Sequence, residues 1–180
     1  MGLDINFYRI KRADFDRYNE DFKNWKESEP ESCRMSNSEF DALSAEDKLA
    51  AEKEIQAHYD AMPEFGQAYG VQEVGYFRKV NFLLPYFGYG KNCSFCECTL
   101  EDVETLLSFC RKILKHKSKK QADYLLPTES GFFYGSTEYD ESYFEDVKDV
   151  REWCKRILKE FDNDSDEDEN GYVLLMFCWW

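Results

Sequence analysis

Apolar positions recur with two different periods along the chain, and the switches between them mark out its elements. From Leu3 to Ile10 the pattern alternates, with Leu3, Ile5 and Phe7 on one side and Asp4, Asn6 and Tyr8 on the other, which predicts a half-buried strand. Phe15, Tyr18, Phe22 and Trp25 then recur at helical spacing and predict a short amphipathic helix. Glu27 to Ser38 is polar, contains Pro30, and reads as a loop. Ser44 to Ala61 is rich in Ala, Glu and Lys. Ser44 with Asp47 suits an N-cap and acidic first turn, and the sparse stripe Leu49, Ile55, Tyr59, Met62 predicts an exposed helix stopped by Pro63. Gly75 to Phe87 is aromatic and apolar apart from Arg78, Lys79 and Asn81, and is read as a helix with Pro85 near its end.

Cys93 to Cys98 suggests a short strand or turn, after which Thr99 caps the best-patterned helix. Its stripe is Val103, Leu106, Leu107, Cys110, Ile113 and Leu114, and it runs out in KHKSKK. Six of the ten residues from Arg111 to Lys120 are Lys or Arg, a favourable placement at the negative end of a helix dipole. Leu125 to Thr128 leads to an expected aromatic strand, Gly131 to Gly135. The polar segment Ser136 to Asp140 opens a second strong helix, with Val147, Val150, Cys154, Ile157, Leu158 and Phe161 as its buried face. Asp162 to Asn170 reads as an acidic loop. Gly171 to Trp180 reads as a strand buried on both faces. No internal repeat is visible. These elements predict an α+β fold: one globular domain over 1–180, with a small, mainly antiparallel sheet and packed helices.

Charge narrows the classes of function. The chain has 23 basic and 37 acidic residues, a net charge of −14. Direct binding to a nucleic-acid backbone or an anionic membrane is not expected of such a chain, whereas a basic partner protein is. The opening GLDINFYRIKR has neither a basic leader nor a long apolar stretch, so a cytoplasmic location is expected, and the seven cysteines read as reduced thiols.

Candidate chemistry is thin. The two histidines, His58 and His116, neighbour no plausible nucleophile in sequence, and no GxSxG, HExxH or P-loop spacing occurs. No catalytic residue, cofactor or metal is therefore assigned. Cys93, Cys96 and Cys98 place three thiols in six residues, but a structural zinc needs a fourth ligand, and Cys110 reaches them only if its helix turns back. Asp166-x-Asp168-x-Asn170 opens like a calcium loop, yet Phe177 stands where a bidentate acid is required.

The strongest local feature is acidic. Thr128 to Asn170 holds 15 acidic and 5 basic residues, so −10 of the net −14. The acids gather in two clusters, at Glu138, Asp140, Glu141, Glu145 and Asp146, and at Asp162, Asp164, Asp166, Glu167, Asp168 and Glu169. Acids at a helix N-terminus are favourable by up to ~1 kcal/mol each, which does not account for the second cluster. A surface of this kind speeds association with a basic groove, with Tyr139 and Tyr143 as candidate aromatic anchors.

Three stretches carry a resemblance: the opening MGLD, the central EVGYFRKVN, and LLPTESGFFYGSTEYDESYFEDVKD. Together they resemble a family of small proteins of phages, prophages and bacteria, whose central pattern reads Tyr-Trp-Arg-Lys-Ala-Asn. Here Phe77 stands for the Trp and Val80 for the Ala, and Leu83 to Phe87 lacks the His of the family's Ile-His-x-Trp-Phe continuation. The resemblance implies a mobile-element setting. By analogy it suggests a phage-type anti-defence protein, an anti-CRISPR that binds Cas9 with its guide RNA in the host cytoplasm and blocks its DNA channel by DNA mimicry through the acidic clusters. A homodimer is compatible with this. The alternative expectation is a small ligand-binding domain or enzyme with a pocket near Arg78 and the GSTEYDE segment. In a purely structural reading, Arg78 pairs with Glu138 or Asp140, Ser136 or Thr137 turns the chain, Asp140 caps the helix, and any partner surface lies elsewhere, such as the basic tract.

Overall fold

The alternation of Leu3, Ile5 and Phe7 is realised as strand β1 (Asp4–Lys11), with all three side chains fully buried. The computed structural model describes residues 2–88, 92–162 and 171–180. It is an α+β structure, with eight α-helices and a four-stranded antiparallel sheet among the described residues. The chain divides into two compact units, Met1–Arg12 with Val71–Trp180, and Ala13–Gly70.

The first unit holds the sheet. Its strand order is β2-β1-β4-β3, with β2 Gln72–Arg78, β3 Phe95–Cys98 and β4 Tyr172–Trp179. β4 lies in the middle, in register with β1 from Asp4↔Trp179 to Lys11↔Tyr172. Leu174, Met176 and Cys178 are buried on one of its faces, and Val173 and Leu175 on the other. A run of apolar residues without alternation belongs in such a place.

Two long helices, α6 (Leu100–His116) and α8 (Glu141–Asp162), pack on each other and share one apolar cluster with the sheet. Thr99 caps α6 through a capping box with Asp102, and Val103, Leu106, Leu107, Cys110 and Ile113 are buried. On α8 the buried residues are Tyr143, Phe144, Val147, Val150, Trp153, Cys154 and Ile157, while Leu158 and Phe161 are partly buried. The Trp153 ring meets Phe7 of β1 at 4.2 Å between centroids. Lys117 closes α6 in the left-handed region, and Ser118 caps the short α7 (Lys119–Leu125).

The second unit is helical. It contains most of α1 (Arg12–Glu27), then α2 (Glu31–Arg34), α3 (Asn37–Asp41) and α4 (Ala45–Asp60). Its core is aromatic: Tyr18 meets Phe65 and Tyr69 at 5.0 and 5.2 Å, and Trp25 stacks on His58 at 4.7 Å. The Trp25 indole also donates to the His58 carbonyl at 2.8 Å. His58 is thus a packing residue. Only Ala51 of α4 is buried, in line with its sparse stripe.

Three sequence expectations are corrected. The loop expected at 27–38 contains α2 and the start of α3, whose N-cap Ser36 forms a capping box with Glu39. The helix expected at Gly75–Phe87 is strand β2 followed by one turn, α5 (Leu83–Tyr86). Pairing with β1 decides it, because Gly75 provides the gap in which Trp153 sits. A Cβ at Gly75 would collide with the indole, whose Nε1 donates to the Val74 carbonyl at 3.0 Å. The strand expected at Gly131–Gly135 is a turn. Phe132 is 96 % exposed, Gly135 has φ of 96°, and the carbonyls of Tyr134 and Ser136 are taken by a side chain rather than a ladder.

Candidate functional site

The three stretches that carry the resemblance are far apart in sequence and meet in the first unit. Leu3 is the hinge between them: its N–H donates to the Phe133 carbonyl at 2.9 Å and its carbonyl accepts from the Lys79 N–H at 2.8 Å. Lys79 follows β2 with φ of 63°, a left-handed conformation that costs a non-glycine residue about 1 kcal/mol or more. Such strain persists only where surrounding bonds impose it, and it turns the chain into the segment that carries Asn81. Asn81 is 2 % exposed, and its side-chain amide donates to the carbonyls of Tyr134 (3.3 Å) and Ser136 (2.9 Å). A buried amide satisfied in this way fixes the 134–136 turn against the 79–82 segment.

Beyond the turn, each residue of GSTEYDE has a local task. Ser136 Oγ accepts from the Glu138 N–H at 3.1 Å, and the Thr137 carbonyl accepts from Thr128 Oγ1 at 3.1 Å. Asp140 Oδ1 accepts from the Tyr143 N–H at 3.2 Å and so caps α8. Tyr139 donates to Asp123 Oδ1 at 2.7 Å and is half-buried. Tyr143 is 4 % exposed, donates to the Leu126 carbonyl at 2.8 Å, and packs edge-on against Phe82. Tyr143 is therefore a core residue and not a surface anchor for a partner.

Arg78 departs from its expected pairing. It lies 3.5 Å from Asp4, not beside Glu138 or Asp140, and Asp4 also accepts a hydrogen bond from Tyr76. Asp4 is itself buried, so the MGLD stretch supplies the carboxylate that steadies Arg78. Gly2 lies against the same group: a Cβ there would come within 3.2 Å of Arg78 Nη2 and of Lys79 Cε.

The 78–82 and 128–146 segments line a half-open cavity of about 320 Å³, at the small end of the ligand-pocket range of about 300–1,000 Å³. Arg78 and Lys79 line it together with Glu138 and Asp146, and the side chains of Asn81, Thr128, Ser136 and Ser142 add neutral polar groups. Phe82 and Tyr143 are its aromatic wall. Among the described residues, Lys79, Glu138 and Asp146 make no ion pair. The Asp146 carboxyl is pushed up to about 6, first by burial and then by the charges of Asp149, Glu145 and Asp140.

The acidic opening of α8 is solvent-facing: Glu138, Asp140, Glu141 and Glu145 are exposed, and Asp146 is half-buried. Glu141 is spent on a 2.8 Å bridge to Lys117, so the basic tract and this acidic cluster partly neutralise each other. Asp162 is the last residue of α8, while Asp164, Asp166, Glu167, Asp168 and Glu169, and with them the calcium-like loop, lie outside the described residues.

The thiols do not converge as a zinc site would require. Cys93 is exposed, Cys96 half-buried, and Cys98 and Cys110 buried, and no group of three or more His, Cys, Asp or Glu among the described residues is placed to hold a metal ion. Cys96 stands apart chemically. The neighbouring Cys98 thiol draws that of Cys96 down to about 7, against the opposing effect of burial, while Cys98, whose Sγ donates to the Cys96 carbonyl at 3.7 Å, is itself pushed up. No helix among the described residues is long and apolar enough to cross a membrane.

Comparison with family models, with curated proteins and with solved structures finds no match to this chain.

The cavity could be anticipated only in part. Arg78 and the GSTEYDE segment were legible as its neighbourhood. Lys79 and Asn81 were visible as polar members of the EVGYFRKVN stretch and Asp146 as one of an acidic cluster, and nothing in the sequence brought the three to one cavity.

Proposed function

We propose that this protein is a binding module for a small polar ligand, held in the cavity between the 78–82 segment and the 128–146 segment. One observation carries the reading. Three stretches distant in sequence are brought together by backbone and side-chain hydrogen bonds, and the space between two of them, 78–82 and 128–146, is lined by charged groups that are not paired with one another. Arg78, Lys79 and Glu138 are exposed and keep their hydration, so the cost falls on the half-buried Asp146 carboxyl, and charged groups gathered in a cleft with a perturbed carboxyl mark a candidate ligand site. Pure fold maintenance has less need of them, because Asn81, Asp140 and Tyr143 already hold the loop. No reaction is assigned, since neither histidine lines the cavity and no nucleophile–base pair is formed there. Native mass spectrometry of the full chain purified from bacterial cells tests this. A co-purified small molecule that is lost in Lys79→Met supports the reading, and equal occupancy in the variant counts against the site.

A second reading rests on a different observation, the exposed acids Glu138, Asp140 and Glu145 at one loop-to-helix junction. We propose that this face docks on a basic nucleic-acid-handling protein, as an anti-defence protein acting on Cas9 with its guide RNA in a host cytoplasm would. Its test is a DNA-cleavage assay: inhibition that weakens with salt and with charge reversal at Glu138 and Glu145 supports it, and undiminished cleavage at excess protein refutes it.

A further inference from the structure

Four charged side chains line the cavity, two of each sign, and this balance selects its ligand. Arg78 is partly engaged by Asp4, whereas Lys79 has no anionic partner among the described residues. Asp146 and Glu138 have no cationic partner among them. From this arrangement, and resting on the ligand-pocket reading above, we infer that the cavity binds a compact zwitterion of the amino-acid class, with its carboxylate at Lys79 and Arg78 and its ammonium at Asp146 and Glu138.

The alternatives fit less well. A simple anion, such as inorganic phosphate, would gain the two cations but would enter a space also bounded by two carboxylates. A simple amine would meet the reverse. A ligand with both charges can pair each with its complement, which is how electrostatic complementarity favours one partner over another. The neutral groups suit the same class: the hydroxyls of Ser142 and Thr128 can each donate to a carboxylate or accept from an ammonium. The cavity's volume of about 320 Å³ admits an amino acid. The crowding of Asp140, Glu145 and Asp149 around Asp146 points the same way, because an ammonium relieves the repulsion that a bound anion would deepen.

The experiment is a set of titrations of the full-length 15N-labelled chain, followed by amide shifts of Ser136, Glu138 and Ser142. The probes are glycine, serine, glutamine, glutamate and arginine, the N-acetyl and methyl-ester derivative of each, and inorganic phosphate. At least one free amino acid is expected to bind, and blocking either of its ends to weaken binding by tenfold or more. Asp146→Asn is expected to weaken the free amino acid while leaving its N-acetyl derivative unchanged. Lys79→Met is expected to weaken the free amino acid while leaving the methyl ester unchanged. An unchanged pattern of shifts away from the cavity establishes that each variant is folded. Binding of phosphate or of a blocked derivative as tight as that of the free amino acid overturns the zwitterion and leaves the pocket standing. If no probe moves a cavity amide at millimolar concentration, the zwitterion is likewise overturned, and a broad metabolite mixture then decides the pocket: shifts at those amides retain it, and their absence removes it as well.

Discussion

Replacing Asp146 by Asn removes a charge that the folded protein holds at a cost. Its carboxyl is pushed up to about 6 by burial and by Asp149, Glu145 and Asp140, against about 3.9 in an unfolded chain. The folded state therefore keeps the proton more tightly than the unfolded state. The stabilisation that this proton brings is fully present below about pH 4, falls as pH rises between about 4 and 6, and is gone above. A two-unit shift corresponds to a ceiling of ~2.7 kcal/mol, and because the side chain is close to half exposed, solvent screening brings this to about 1 kcal/mol. D146N, which cannot ionise, is expected to be more stable than the parent by about 1 kcal/mol at pH 8, a rise in Tm of about 2–4 °C for a chain of this size. At pH 5 the parent has recovered roughly half of its loss, so the advantage of D146N shrinks by about half. Urea unfolding of both proteins at the two pH values measures the difference. An advantage that is equal at pH 5 and pH 8, or a D146N protein less stable at pH 8, refutes the account of this carboxyl.

Other consequences follow from single contacts. Asn81→Leu leaves the Tyr134 and Ser136 carbonyls without their donor, and is expected to cost about 2 kcal/mol and to speed amide exchange across 134–138 before it affects α6. Gly75→Ala drives a Cβ into the Trp153 indole and is expected to cost about 2 kcal/mol or more, with a change in tryptophan emission as the ring is displaced. Cys98→Ala removes the neighbouring thiol that draws the Cys96 thiol down to about 7. The rate of Cys96 alkylation at pH 7 is then expected to fall, as mass spectrometry of iodoacetamide-treated protein would register. Thr99→Ala removes a capping box and is expected to cost about 1 kcal/mol by thermal unfolding.

Elements whose packing follows their own periodicity were legible from the sequence. β1, α4, α6, α8 and β4 each show a stripe or run that needs no knowledge of the neighbour, and the α+β class followed from them. The misreadings fall where a distant residue decides. Gly75–Phe87 is apolar enough for either element, and the approach of Trp153 and pairing with β1 make its first part, Gly75–Arg78, strand. Gly131–Gly135 has the aromatic composition of a strand but no partner strand, because Asn81 takes the carbonyls on which a ladder would form. At the site, Arg78 was visible as a charge in an apolar run, but its partner, Asp4, lies 74 positions away in sequence and is fixed only by the β1–β2 register, Asp4↔Arg78. Asp146 read as one acid among many. Its half-burial distinguishes it, and burial is a property of the assembled helix face rather than of the sequence position.

The central claim is that the 78–82 and 128–146 segments, tied together through Leu3, build one ligand pocket. Amide chemical-shift mapping of the full chain against a broad mixture of small metabolites tests it most directly. The account predicts saturable shifts concentrated at Lys79, Asn81, Ser136, Glu138 and Ser142. Shifts scattered over the exposed acids and vanishing with added salt, or no saturable shift at these five residues, would contradict it.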